Sequence, residues 1–209
     1  MRSFLLVLTI GLTTSSALAA QSSRGQSKTG TPAPRIIPVS APTEAQIAAA
    51  KQQGKVRVEL DTTKGKIEVE LDGRAAPIAV ANFLNLVKAG FYDGMPFHRV
   101  EPGFVIQAGD PALVKRPPVG YTIPDEKSPI KHVKGTIAMA RLYRGGQLVP
   151  NSASTQFYIT LADTPHLDRM GFTAFGKVLA GMGVVSKIAV GDKILKALLP
   201  GKPGRGGRR

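Results

Sequence analysis

Between residues 97 and 110 the chain reads Phe-His-Arg-Val-Glu-Pro-Gly-Phe-Val-Ile-Gln-Ala-Gly-Asp. This run sets an arginine (Arg99), an aromatic ring (Phe104) and a primary amide (Gln107) around a Pro-Gly break. A guanidinium is charged, planar and rich in donors, and an amide beside it can hold a peptide backbone. Such a set can grip a peptide and polarise one of its amides. It is poorly suited to breaking a bond, because no paired base, thiol or metal ligand accompanies it. His98, His132 and His166 form no compact ligand spacing, and there is no Gly-x-Ser-x-Gly elbow. Ser152 and Ser154 lie in a Ser/Thr-rich stretch without a nearby His-Asp pattern. The chain has no cysteine, which excludes thiolate catalysis, cysteine-held zinc and disulfides. Neither a metal nor a cofactor is expected.

The elements that must position these residues are short. Val56, Val58 and Leu60 alternate with charged residues, as do Ile67, Val69 and Leu71, with a tight turn at 61–65 between them. That is the pattern of two half-buried strands. Pro77 then suits the first turn of a helix running to Ala89, closed by Gly90. Five β-like runs follow, at 97–100, 104–107, 136–140, 156–160 and 172–178, and a further short helix is expected over 181–189. Upstream, Thr43 to Gln53 reads as a short accessory helix with Thr43 as its cap and Gly54 as its stop. Many short strands with a helix or two describe a closed antiparallel barrel or a sandwich, and the pattern does not choose between them.

The 97–110 run resembles the signature of the cyclophilin family of peptidyl-prolyl cis-trans isomerases. A second block, Gly135-Thr-Ile-Ala-Met-Ala-Arg141 followed by Asn151-Ser-Ala-Ser-Thr-Gln-Phe-Tyr-Ile159, is similar to the same family. The resemblance covers about residues 55–190. It implies a mainly β fold, a closed eight-stranded antiparallel β-barrel capped by two α-helices. It also implies a cofactor-free enzyme acting on proline-containing polypeptides, which an export signal over residues 1–20 would make unfolded or newly exported chains. By the same resemblance Arg99 is the catalytic donor. The substrate-binding set is His98, Phe104, Val105, Gln107, Ala140, Arg141, Gln156, Tyr158, Leu167 and Phe172. His98 is read as a hydrogen-bonding residue beside Arg99, and His132 as a loop histidine.

Several positions depart from the family pattern. Tyr158 stands where Phe is usual, and its hydroxyl should narrow the pocket or supply a hydrogen bond. Arg141 stands where Asn is common, so a preference for acidic substrates is expected. His166 replaces the Trp that the best-known eukaryotic members associate with cyclosporin binding. Ala108 replaces a glycine. Residues 142–150 form a longer connection than usual, either an extended loop beside the site that gates or recruits substrate or plain surface variation.

The 209 residues suffice for one good core. Residues 1–20 have the form of an export signal: Arg2, an apolar run from Phe4 to Leu12, and Ala17-Leu18-Ala19 for cleavage. Residues 21–54 are expected to be linker and accessory helix, 55–199 the isomerase domain, and 200–209 a basic disordered tail. A periplasmic or secreted monomer is the expectation. Lys and Arg total 28 against 14 Asp and Glu, a net charge of +14. Such a balance favours non-specific contact with anionic surfaces, chiefly through the tail, and no specific nucleic-acid site is expected. Two other classes stay open: a peptide-holding adaptor on the same fold, and a basic protein that rests on an acidic polymer. The joint presence of Arg99, Phe104 and Gln107 favours the enzyme.

Overall fold

The structure, a computed structural model, describes residues 38–200. The expected export signal, nearly all of the linker and residues 201–209 lie outside the described residues.

Near the start lies α1 (Glu44–Gln53), with Thr43 and Gln46 forming a reciprocal capping box. It is stitched to the rest of the fold rather than merely appended. Ala50 is buried, and the Gln46 side-chain oxygen accepts from the Asn85 amide at 3.0 Å.

The alternation in the next segment yields β1 (Lys55–Thr62) and β2 (Gly65–Asp72). They pair antiparallel along their length and bury the six predicted apolar side chains. Pro77 opens α2 (Pro77–Lys88), whose Ala76 cap offers no side-chain acceptor. The Glu126 carboxylate fills that role from a distant loop, accepting from the N–H groups of Ile78 (2.9 Å) and Ala79 (2.8 Å). From α2, Phe83 enters the core and meets Tyr92, Phe157 and Phe175 at centroid distances of 5.0, 5.3 and 5.3 Å.

The remaining strands are β3 (Phe97–Glu101), β4 (Val105–Ala108), β5 (Thr136–Met139), β6 (Tyr143–Arg144), β7 (Gln147–Leu148), β8 (Phe157–Thr160), β9 (Ala174–Ala180) and β10 (Ile194–Leu198). Between them lie α3 (Pro165–Arg169) and the single turn α4 (Met182–Val185). Eight strands form one antiparallel sheet in the order β10-β1-β2-β9-β5-β8-β4-β3. Its two edges meet at a bridge between Pro96 and Lys193. There the Phe97 N–H donates to the Asp192 carbonyl, and the Ile194 N–H to that of Met95, each at 2.8 Å. The fold is therefore mainly β, a nearly closed eight-stranded antiparallel barrel with helices packed on it.

One expectation about elements needs correction. The helix expected over 181–189 is only the turn Met182–Val185, which buries Val185 before the chain breaks into turns. The eighth strand, β10, had no clear pattern, since it buries only Ile194 and Ala197 while Leu195 and Leu198 are exposed.

Candidate active site

In the middle of the sheet, β4, β5 and β8 are buried on both faces almost throughout. Ile106, Ile137, Phe157 and Ile159 belong to the main core. The opposite side chains, Val105, Ala138 and Tyr158, form a second small core with Leu167 and Ala174. The register aligns the outward residues in a row: Arg99 pairs with Gln107, Gln107 with Tyr158, Tyr158 with Ala138, and Ala138 with Ala174. Arg99 joins this row only because β3 is bulged. Phe97 pairs with Ala108 and Arg99 with Gln107, leaving His98 as the extra residue. A bulge of this kind re-aims the next side chain.

Arg99 is held in place by neighbours on the same surface. Its Nε donates to the Glu101 carboxylate at 2.8 Å and its Nη1 to the Gln107 side-chain oxygen at 3.2 Å. The guanidinium carbon lies 5.5 Å from the Phe104 ring centroid. Among the described residues Nη2 has no bonded partner. Gln107 in turn donates to the Gln156 side-chain oxygen at 2.8 Å, which fixes both amides.

Beside this group opens a cavity of about 500 Å³, lined largely by apolar side chains. Nine of the eleven predicted site residues line it: Arg99, Phe104, Val105, Gln107, Ala140, Arg141, Tyr158, Leu167 and Phe172. His98 and Gln156 do not. His98 is half-buried at the bulge; burial lowers its pKa, and its Nδ1 bonds no protein atom. Gln156 reaches the site through Gln107. Four further residues line it: His166, at the position where the family has its cyclosporin-associated Trp, Tyr143 and Leu148 of the long 142–150 connection, and Met170, which the sequence did not point to. His166 stacks on Phe104 with centroids 5.6 Å apart and ring planes at 22°.

The sequence pattern of the family described as cyclophilin type peptidyl-prolyl cis-trans isomerase/CLD matches residues 56–198. The chain belongs to this family. It is 39% identical over 156 residues to peptidyl-prolyl cis-trans isomerase A of Dickeya dadantii, covering 72% of this chain and 74% of that one. To the peptidyl-prolyl cis-trans isomerase of Synechococcus elongatus it is 40% identical over 138 residues, 65% of this chain and 90% of the other. Among solved structures, a Cryptosporidium parvum cyclophilin type isomerase superposes with a TM-score of 0.62 at 28% identity. That match covers 71% of this chain and 99% of the other. The protein is a peptidyl-prolyl cis-trans isomerase, and such enzymes act on proline-containing polypeptides.

Two of this isomerase's departures from the family pattern acquire physical explanations. The extra hydroxyl of Tyr158 lies 2.9 Å from Nε2 of His132, whose Nδ1 lies 2.7 Å from the Asp168 carboxylate. His132 does sit in an irregular segment, but it is no ordinary loop histidine, being only 2% exposed. Its pKa is lowered by burial, which outweighs the pull of Asp168. A neutral ring fits both contacts: Nδ1–H donates to Asp168, and Nε2 accepts the Tyr158 hydroxyl proton. The Asp168 carboxyl is held below its usual range: burial works against this, but the hydrogen bonds from the His132 ring and backbone prevail. Burial also raises the pKa of Tyr158 far above its usual value, so the phenol keeps its proton.

Arg141, by contrast, is not the free cation that an acidic-substrate preference requires. Its side chain is 7% exposed and its Nη1 donates to Asp125 at 2.8 Å. Its Nη2 donates to the Met170 carbonyl, and its guanidinium carbon lies 4.6 Å from the Phe172 ring centroid. The charge is neutralised internally, and the side chain braces Phe172. At Ala108 the change from glycine is tolerated because the residue sits in β4 with ordinary strand backbone and no positive φ, its methyl packing into the core. The next residue is the one that demands glycine. Gly109 has φ +100°, and a Cβ there would come within 2.4 Å of the Thr155 carbonyl oxygen.

Proposed function

We propose that this isomerase binds X-Pro segments with the prolyl ring in the apolar cavity and accelerates rotation by donating a hydrogen bond from Arg99 to the prolyl nitrogen. Rotation is slow because amide resonance must be broken, at about 18–20 kcal/mol. The twisted state leaves a lone pair on a pyramidal nitrogen, which neither planar ground state presents. A donor aimed at that nitrogen therefore stabilises the transition state selectively, and each 1.36 kcal/mol so gained is about tenfold in rate. The observation carrying this reading is the fixation of Arg99 at the cavity by Glu101 and Gln107 with Nη2 uncommitted. No reorganisation is then needed as the charge develops. Phe104, Tyr158, Leu167 and Phe172 receive the ring, while Gln107, Gln156 and the Ala140 backbone hold the peptide. No proton transfer or covalent intermediate is required.

NMR exchange on an X-Pro peptide with wild type, Arg99→Ala and Arg99→Lys tests the donor. Removing one preorganised donor is expected to lower kcat/KM by about 10²–10³, with lysine restoring only part. Arg99→Ala at wild-type rate overturns the mechanism. Binding without acceleration by the wild type moves the chain to the adaptor class.

We also propose that the enzyme acts outside the cytoplasm and assists newly exported chains. This reading rests on Arg2, the Phe4–Leu12 run and Ala17-Leu18-Ala19. N-terminal sequencing of the mature protein decides it: a start near residue 20 is expected, and a retained Met1 in the cytoplasmic fraction overturns it.

A further inference from the structure

The connection from Leu142 to Pro150 contains an ordered ribbon. Tyr143 pairs with Leu148 and Arg144 with Gln147 across Gly145-Gly146. The φ angles of these glycines are +58° and +79°, as a two-residue hairpin turn requires. The buried Ser152 clasps the base: its hydroxyl accepts from the Leu142 N–H at 3.0 Å and donates to the Val149 carbonyl at 2.6 Å. The Val149 N–H closes the clasp on the Leu142 carbonyl at 2.9 Å.

Directly opposed residues in an antiparallel pair project from one face. Tyr143 and Leu148 therefore share a face, and both line the cavity that contains Arg99. Tyr143 is nonetheless 66% exposed, and Met170, which lines the same cavity, is 41% exposed. The apolar surface here is continuous with the active site and has little intramolecular cover. The cavity, at about 500 Å³, lies in the range that encloses drug-sized ligands. It holds more than a single pyrrolidine ring. Of the two arginines in the lining, Arg141 is paired with Asp125 and Arg99 with Glu101, so neither charge is left free to select an acidic neighbour.

We propose that the β6–β7 ribbon is a substrate-selecting wall, with Tyr143 and Leu148 receiving a large apolar side chain next to the proline. This rests on the isomerase reading above and narrows its substrates to X-Pro or Pro-X segments in which X is bulky and apolar, such as Phe or Leu. Such segments become accessible when chains are unfolded.

The test is NMR exchange with the full chain on matched peptides carrying Gly, Glu, Leu or Phe on either side of the proline. Phe or Leu on one side is expected to exceed Gly in kcat/KM by about tenfold. In the double variant Tyr143→Ser, Leu148→Ser that ratio should fall to within about twofold, whereas Tyr143→Phe should retain it. The amide spectrum remote from the ribbon verifies that the double variant is folded. An unchanged ratio in the double variant, no apolar preference in the wild type, or a preference for Glu overturns the wall. Should no peptide be accelerated, the isomerase reading itself fails. Chemical-shift titration of the same peptides then still decides the wall, because Phe-flanked peptides must bind more tightly than Gly-flanked ones and lose that advantage in the double variant.

Discussion

On β4, β5 and β8 the inward face carries Ile106, Ile137, Phe157 and Ile159, and the outward face carries Val105, Gln107, Ala138 and Tyr158. Seven of these eight side chains are buried, so burial alone does not separate core from site. Size and chemistry do. The inward residues are bulky and interlock with the aromatic group around Phe83, where Phe157 meets both Phe83 and Tyr92 edge-on at 5.3 Å. The outward row sets alanines beside a phenol and an amide, and its polar atoms bond one another or nearby side chains. Small residues there leave room beneath α3 and the 170–172 segment. The inner face spends its side chains on stability, and the outer face holds a shape and a set of fixed donors.

The sharpest way to break this comparison is to truncate one residue on each face. Phe157→Ala on the inner face is expected to cost about 3–5 kcal/mol of unfolding free energy, since a ring is lost from a packed interior. Urea denaturation measures it. A loss below about 1 kcal/mol is what a site that collapses freely around the deletion gives, and would show that the inner face is not the rigid side. On the outer face, Tyr158→Phe keeps the ring and removes the hydroxyl. It strands the buried Nε2 of His132, at about 1–3 kcal/mol for an unpaired buried group. The expected order is Phe157→Ala well above Tyr158→Phe, and equal losses would erase the distinction.

The sequence carried much of the architecture because the first hairpin and α2 obey simple periodicities. The alternation from Val56 to Leu71 and the Pro77 start needed no tertiary context. Eight strands and a barrel came from family resemblance, since only seven strand-like runs were visible. The missing β10 buries Ile194 and Ala197 against β1 and otherwise presents exposed residues, so its pairing rather than its pattern makes it a strand. The side of the 142–150 connection that lines the cavity is hidden in the sequence for a similar reason. Gly145-Gly146 between Tyr143-Arg144 and Gln147-Leu148 was a legible hairpin signal, but nothing local shows which face meets the cavity. The ion pair of Arg141, which does line the cavity, and the buried contact of His132 are not legible in the sequence, because their partners, Asp125 and Asp168, are 16 and 36 residues away. Charge pairing at that separation is invisible until the chain is folded.

The smallest effect expected is a pH dependence of stability that originates beneath the outer face. His132 is buried against Asp168 of α3 and Tyr158 of β8, with His166 also acting on it, and burial lowers its pKa from the usual 6.5. In the unfolded chain the imidazole takes up a proton near pH 6.5, whereas in the folded protein it resists until lower pH. As pH falls through that window the unfolded state binds more protons, so stability must decline. His98, whose pKa is also lowered by burial, acts in the same direction. Asp168 is held below its usual 3.8, so its contribution is lost only in stronger acid and does not blur this window. Each tenfold difference in proton affinity between the two states is worth about 1.4 kcal/mol. Urea midpoints between pH 7.5 and 5 are therefore expected to fall for wild type and to fall less steeply for His132→Gln, in which His98 still lowers stability while Glu126, its carboxyl raised by burial, acts in the opposite direction toward pH 5. Parallel slopes would remove His132 as the cause. Protonation also turns Nε2 from acceptor into donor, so the Tyr158 hydroxyl must rotate to accept from it. The pH dependence of proline-peptide affinity should then flatten in Tyr158→Phe, which has no hydroxyl to turn.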